Sequence, residues 1–267
     1  MGLLAYPFIE AIWLRTDEHT VKIASLPQNL KGLRILYVTD IHYGSLYPQS
    51  RVEQLFATIN DLSPDLVLFG GDYADDTAGA IEFFEHLPLL NARLGAYGVF
   101  GNHDRTDESQ LNTLTGVMNS AKVTPLNNAV ATVKVGQSYL YIAGVDDFDN
   151  GFPDVKGVAA QVSEGDTVVF LGHSPDLLTA AFSARGSDGN SHWFDLALFG
   201  HTHGGQITLF GNPIIDKFSP EIGTRYLTGW REENRASILV SNGVGTSYVP
   251  MRLFAFPQIH LITIKSK

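Results

Sequence analysis

Six short apolar runs in this 267-residue chain stop at residues whose side chains can hold a metal ion. ILYVTDIH ends in Asp40 and His42, LVLFGGD in Asp72, and GVFGNHD in Asn102, His103 and Asp104. VVFLGH ends in His173, LALFGHTH in His201 and His203, and YLYIAGVDD in Asp146 and Asp147. Short apolar runs bounded by turn-forming residues read as buried strands. Alternating with amphipathic stretches, they predict an α/β fold, in which loops at one end of the strands share a crevice and ligands bind there. Residues far apart in sequence would then converge.

The strongest predicted helix is 51–62, where Val52, Leu55, Phe56, Ile59 and Leu62 follow the helical period and Ser50 with Glu53 has capping-box spacing. Further helices are expected over 79–94, interrupted by Pro88, over 108–121, and over 175–184, opened by the pair Ser174–Pro175. After Gly204 the pieces QITLF, ASILVS and IHLITI read as strands between Gly- and Pro-rich turns, with no helix. One domain is expected over 26–267, preceded by an apolar segment over 1–25. The 44% hydrophobic and 17% charged content supports a large core.

Composition also excludes chemistries. There is no Cys, so disulfides, thiolate zinc sites, Fe–S clusters and a Cys nucleophile are ruled out. The net charge of −10 disfavours nucleic-acid binding, which relies on Lys and Arg replacing phosphate counterions. The N-terminal LLAYPFIEAIWL falls short of the about 20 residues that span a bilayer. It also lacks the basic start and cleavage site of a signal peptide. It is expected to pack on the domain, with peripheral membrane contact through Tyr6, Phe8 and Trp13 as the alternative.

Five of the nine histidines follow apolar runs: His42, His103, His173, His201 and His203. With Asp40, Asp72 and Asn102 they form a nitrogen and oxygen donor set without sulfur, suited to Mn²⁺, Fe²⁺ or Zn²⁺ more than to an all-oxygen Ca²⁺ site. Asp40 and His42 lie two apart, which on a regular strand puts them on one face and on one ion. His201 and His203 share that spacing and could serve one ion or two.

Asp40-x-His42, Gly71-Asp72, Gly101-Asn102-His103-Asp104, Gly172-His173 and Gly200-His201-Thr202-His203 together resemble the calcineurin-like metallophosphoesterase superfamily. The block GHTHGGQ and the tail NGVG…PMRLFAFPQIHLITI look like its bacterial phosphodiesterase branch, many of whose members carry an N-terminal membrane or export segment. The likeness runs from about Leu26 to the end. It implies a four-layer α-β-β-α sandwich of two mixed sheets and two divalent ions, Mn²⁺ foremost. Asp40, His42, Asp72 and His203 would hold the first ion, and Asp72, Asn102, His173 and His201 the second. It further implies hydrolysis of a phosphate diester or pyrophosphate bond by a hydroxide shared between the ions, with His103 as general acid and Asp104 orienting it. One departure is Asp75, standing where the purple acid phosphatase pattern GDxxY has its iron-binding Tyr, so no Tyr–Fe³⁺ centre is expected.

Several residues keep two readings. Arg105 either meets substrate phosphate or forms a surface salt bridge. Asp146 and Asp147 either sit beside the site, Asp147 as a substrate contact, or cap a loop. Gln206 is expected to shape the metal loop and Asn242 to be structural. The apolar residues from Tyr248 to Phe256 around Arg252 either pack the core or offer a platform to a lipid or nucleoside. The expected partner is a small-molecule phosphodiester, a nucleotide sugar or a lipid-linked substrate. The alternative activities are phosphomonoesterase or protein phosphatase, and a UDP-2,3-diacylglucosamine-type pyrophosphatase.

Overall fold

A computed structural model describes residues 2–214 and 220–267, with only the backbone of residues 2–4. The chain opens with helix α1 (Gly2–Glu10), then β1 (Arg15–Ile23), β2 (Arg34–Val38), α2 (Gln49–Asp61), β3 (Leu66–Phe69), α3 (Thr77–Glu85), β4 (Ala96–Gly98), α4 (Leu111–Ser120) and β5 (Val123–Pro125). Next come β6 (Ala129–Val135), β7 (Ser138–Gly144), α5 (Val155–Ala159), β8 (Thr167–Leu171), α6 (Leu178–Ser183) and β9 (Leu196–Phe199). A small hairpin of β10 (Thr208–Leu209) and β11 (Asn212–Pro213) precedes β12 (Gly229–Glu233), β13 (Ala236–Val240) and β14 (Gln258–Ser266).

Two six-stranded mixed sheets result, in the orders β1-β14-β2-β3-β4-β5 and β12-β13-β9-β8-β7-β6. In the first, β2 to β5 are parallel; in the second, β7, β8, β9 and β13 are. Because side chains alternate across a strand, each central strand feeds two cores. Ile35, Tyr37, Leu66 and Leu68 pack between the sheets with Val169, Leu171, Leu196 and Leu198. The intervening Leu36, Val38, Val67 and Phe69 pack outward with α2, α3 and α4, while Val168, Phe170, Ala197 and Phe199 pack outward with α5 and α6. Three apolar layers between four layers of structure make the expected α-β-β-α sandwich.

The four predicted helices appear with shifted ends, and α1 and α5 have no predicted counterpart. Helix α2 starts at Gln49 behind Pro48, which makes no side-chain cap; Ser50 lies inside the helix, so the expected capping box is not formed. Asp76 caps α3 by accepting the Gly79 N–H at 2.7 Å, and that helix ends before Pro88. Ser174 does accept the Asp176 N–H, but it opens a short 3-10 turn, Pro175–Leu177, before α6. Within the apolar segment 1–25, strand β1 pairs parallel with β14 from Arg15↔Gln258 to Ile23↔Ser266, so residues 15–23 join the first sheet. Of its residues only Val21 and Ile23 are buried, because it is an edge strand, and no apolar run betrays it.

Candidate metal centre

The loops after β2, β3, β4, β8 and β9 meet at one end of the two sheets. Five of their candidate donor residues have left-handed backbones: Asp40 (φ 53), His42 (φ 50), Asp72 (φ 52), His201 (φ 67) and His203 (φ 51). Each such residue other than glycine costs on the order of 1–3 kcal/mol and persists only where its surroundings over-determine it. Here they do. The Asp40 N–H donates to Gly71 O at 3.0 Å, the His42 N–H to Asp72 O at 3.2 Å, and the His201 N–H to Asp40 Oδ1 at 3.0 Å. Strand β2 has already ended at Val38, so strand periodicity is not what brings Asp40 and His42 together; two left-handed turns are. Close approach demands glycine at two points. A Cβ on Gly101 would collide with Asp72 Oδ1, and one on Gly200 with Asp40 Oδ2.

Donor atoms gather in two groups. In one, His42 Nε2 and His203 Nε2 are 3.1 Å apart, with Asp40 Oδ1 3.7 Å from His203 Nε2. In the other, His201 Nδ1 lies 3.0 Å from Asn102 Oδ1 and 3.3 Å from His173 Nε2. Asp72 belongs to both, with Oδ2 3.2 Å from His173 Nε2 and 3.7 Å from His42 Nε2. All seven predicted donors are brought together, and His201 and His203 fall in different groups despite their strand-like spacing.

These residues fit metal ions on chemical grounds. The His42 Nδ1 bonds Asp75 Oδ1 at 2.8 Å, and His173 Nδ1 donates to Gly70 O at 2.8 Å. Outer acceptors keep those protons on Nδ1 and leave the Nε2 lone pairs facing inward, as metal ligation requires. Lone pairs and carboxylates packed this closely repel one another unless a cation or proton intervenes. The basicities reflect it. Burial pulls His173 down, but the Asp72 carboxylate overrides this and raises it well above the ordinary imidazole range. Burial opposes ionisation of Asp72 too, yet the His173, His42 and His103 rings hold it far below the usual carboxylate range. Burial, with His42 and Arg252 adjacent, pushes His203 well below. A third group, His42, Asp75 and His103, also has donor atoms within 4.8 Å of one another.

Two supports were not apparent from sequence. Asp75 anchors both His42, through its carboxylate, and His103, whose Nδ1 donates to Asp75 O at 2.9 Å. Arg252 is fully buried and ties the site's outer loops, donating to Gly245 O at 3.0 Å, Asn242 O at 2.8 Å, Ala255 O at 2.8 Å and His203 O at 3.3 Å. The one signal was an isolated Arg in an otherwise uncharged stretch. Gln206 shapes the neighbouring loop as expected, accepting from Ser247 N and donating to Ser247 O and Val249 O.

Three of the predicted site residues are engaged away from the cleft. Asp104 does not reach His103. It is fully buried, and its carboxylate accepts the N–H groups of Asp72 and Gly101, both at 2.8 Å, and of Tyr73 at 3.0 Å. Burial and the nearby Asp72 charge push it up to about 8. Arg105 is buried and engaged with Asp146 and Glu108, so it does not line the cleft. Asp147 is also fully buried, too deep for substrate contact, and accepts from Asp149 N at 2.9 Å and Asn150 N at 2.6 Å. It holds a loop whose Asn150 side chain donates to Asn102 O at 2.8 Å. Tyr73 points into the core and donates to Val99 O at 2.8 Å.

Above the donors opens a cleft of about 290 Å³. Asp72, Asn102, His103, His201 and His203 form its floor side, and Asp149, Asp176, Glu221, Ser247 and Tyr248 complete its lining. The family model for calcineurin-like phosphoesterases matches residues 33–205, the span from β2 through the His201–His203 loop. The chain belongs to this family. The metallophosphoesterase YkuE of Bacillus subtilis (strain 168) is 31% identical over 97% of this chain and 88% of its own length. Phosphodiesterase YaeI of Escherichia coli (strain K12) is 29% identical over 96% and 90%. Both likenesses cover more of the chain than the matched family region does. Among solved structures, a phosphopantetheinyl hydrolase of Mycobacterium tuberculosis is similar over 84% of this chain and 96% of its own, with a TM-score of 0.48 and 12% identity. By its family this chain is a hydrolase of phosphate esters, and it has His/Asp groups that could bind metal.

Proposed function

We propose that this phosphoesterase is a dinuclear phosphodiesterase acting on a monoanionic diester. Asp40, His42, Asp72 and His203 would hold one divalent ion and Asp72, Asn102, His173 and His201 the other. The observation that carries the reading is the charge of the cleft. Among the described residues no Lys or Arg lines it, whereas Asp149, Asp176 and Glu221 do. A phosphate entering there depends on cations held by the floor residues. A diester brings one negative charge past those carboxylates; a monoester or pyrophosphate brings two, and like charges repel. The name of the relative YaeI, a phosphodiesterase, agrees with this reading.

When bound, the two ions supply Lewis-acid stabilisation of phosphate charge and acidify a water. The nitrogen and oxygen donors without sulfur suit Mn²⁺, with Fe²⁺ or Zn²⁺ as alternatives. His103 is the general acid. Its Nδ1 proton is committed to Asp75 O, which leaves Nε2 as the nitrogen that delivers a proton to the departing oxygen. Its backbone N–H donates to Asp72 Oδ1 at 2.9 Å, so the acid is positioned from the metal-binding carboxylate itself. His103→Ala should lower turnover about 10²–10⁴-fold, the range for one general acid. Elemental analysis should still find two ions per chain. Unchanged turnover would remove His103 from the mechanism.

The reading is tested by reconstituting the protein with Mn²⁺, Fe²⁺ or Zn²⁺ and comparing bis-p-nitrophenyl phosphate with p-nitrophenyl phosphate. A higher kcat/KM for the diester is expected. A higher value for the monoester would make the protein a phosphomonoesterase. Nucleotide sugars and lipid-linked diesters extend the same comparison to natural substrate classes.

A further inference from the structure

Helix α1 is inside out for a helix in water. Its one charged side chain, Glu10, is fully buried, and Oε1 accepts the Ala255 N–H at 2.7 Å. Outward, on the helix and the turn after it, stand Phe8, Ile9, Ile12 and Trp13, between 48% and 65% exposed. Two neighbouring segments repeat the inversion. In the loop 242–256 the only charged residue, Arg252, is fully buried, while Tyr248 and Phe254 are 66% and 64% exposed. The segment 204–214 has no charged residue, exposes Leu209 and Ile214, and carries Phe210, 92% exposed, at the tip of the β10–β11 turn.

These segments make one surface. The Arg252 N–H donates to Pro7 O at 3.0 Å, and the Trp13 ring meets Phe256 edge-on with centroids 5.9 Å apart. The Thr208 N–H donates to Leu253 O at 3.0 Å, and the Leu253 N–H to Gln206 O at 2.9 Å. Nine of the fourteen large hydrophobic side chains exposed among the described residues lie on these segments. Scattered exposed apolar residues need no explanation, but a contiguous set marks an interaction surface.

We infer that this surface docks on a lipid bilayer. Charge selects that occupant. In a chain of net charge −10, every charged side chain described on these three segments is buried, and the exposed charge beside them is Arg15, stacked over the Phe256 ring, so a partner recognised through many ion pairs finds little to pair with. Hydrocarbon asks for no pairing. Trp13 and Tyr248 combine an apolar body with a polar tip, the character that suits the headgroup boundary. Phe210 and Phe254 project from separate loops, a shape that enters a fluid bilayer more readily than it complements a packed protein face. No described helix is long and apolar enough to cross a membrane, so the contact is with one leaflet. Tyr248 also lines the metal cleft, which sets the cleft mouth beside the headgroups. The inference stands on surface geometry and does not depend on which phosphate ester is hydrolysed.

The test is flotation of the full chain with phosphatidylcholine vesicles, beside the variant Ile12→Asp/Phe210→Asp/Phe254→Asp. Wild type should float with the vesicles, resist release by 1 M NaCl, and show a blue-shifted Trp13 emission that Trp13→Phe abolishes. The variant should bind at least about tenfold more weakly while keeping its melting temperature and its turnover of a soluble ester. Wild type remaining with the soluble fraction would overturn the inference. So would light scattering that finds a dimer dispersed by the variant without vesicle binding, because the surface would then be covered by a second copy. Turnover of the soluble ester is read in the same samples, so a failed docking surface and a failed hydrolytic reading are told apart.

Discussion

Asp72→Ala should abolish phosphoesterase activity and lower the metal content from two ions per chain to below one. Asp72 Oδ2 lies near ring nitrogens of both donor groups, 3.2 Å from His173 Nε2 and 3.7 Å from His42 Nε2. Removing it leaves imidazoles facing one another without the charge that holds cations among them. Its loss also frees the His103 N–H, which Asp72 Oδ1 accepts at 2.9 Å, so the acid is displaced with the metals. Asp72→Asn separates these effects. The amide oxygen can still accept from His103 but carries no charge, so the histidine loop should keep its place while the ions are lost. Elemental analysis on both variants reads the result. Two ions retained in Asp72→Ala would disprove the bridging assignment.

Arg252→Ala should destabilise the protein by about 3–5 kcal/mol, the range for breaking a buried charged network from one side. Arg252 is fully buried, and its fork satisfies four backbone carbonyls, one on the His203 loop and three spread along the loop 242–256. Truncation strands those carbonyls away from water, which is costlier than losing the bonds themselves. Burial lowers the guanidinium to about 10, helped back up by Asp40 and Glu10, so it stays charged at neutral pH. At about 2–4 °C per kcal/mol for a domain approaching this size, the melting temperature should fall by roughly 10 °C. Arg252→Lys should recover only part of this, because one ammonium cannot reproduce the planar fork. Melting in EDTA isolates the effect from metal binding. A shift below about 2 °C would mean that the loops hold without the arginine.

The helices were readable because a 3.6-residue apolar period survives in Val52, Leu55, Phe56 and Ile59, all buried. Strand β1 was not, because an edge strand buries little and RTDEHTVKI carries no apolar run. Asp104 shows a different limit. Its neighbour His103 suggested a side-chain partnership, but a buried carboxylate is claimed by whatever N–H groups the fold brings to it, here three from the β3 and β4 loops. Asp146 was equally ambiguous until Arg105, 41 residues away, was seen to pair with it.

By itself the sequence determined the α/β class and the lack of thiolate chemistry, since residue type and apolar period are local properties, and the resemblance of its motifs to a known family singled out the seven candidate donors. Tertiary structure alone decided which donors share a group, because His201 and His203 diverge only through left-handed turns that neighbouring loops enforce. It also decided which charges are hidden. Glu10 and Arg252 look like surface residues in a list, and burial turns them into the inner fastenings of a largely apolar surface.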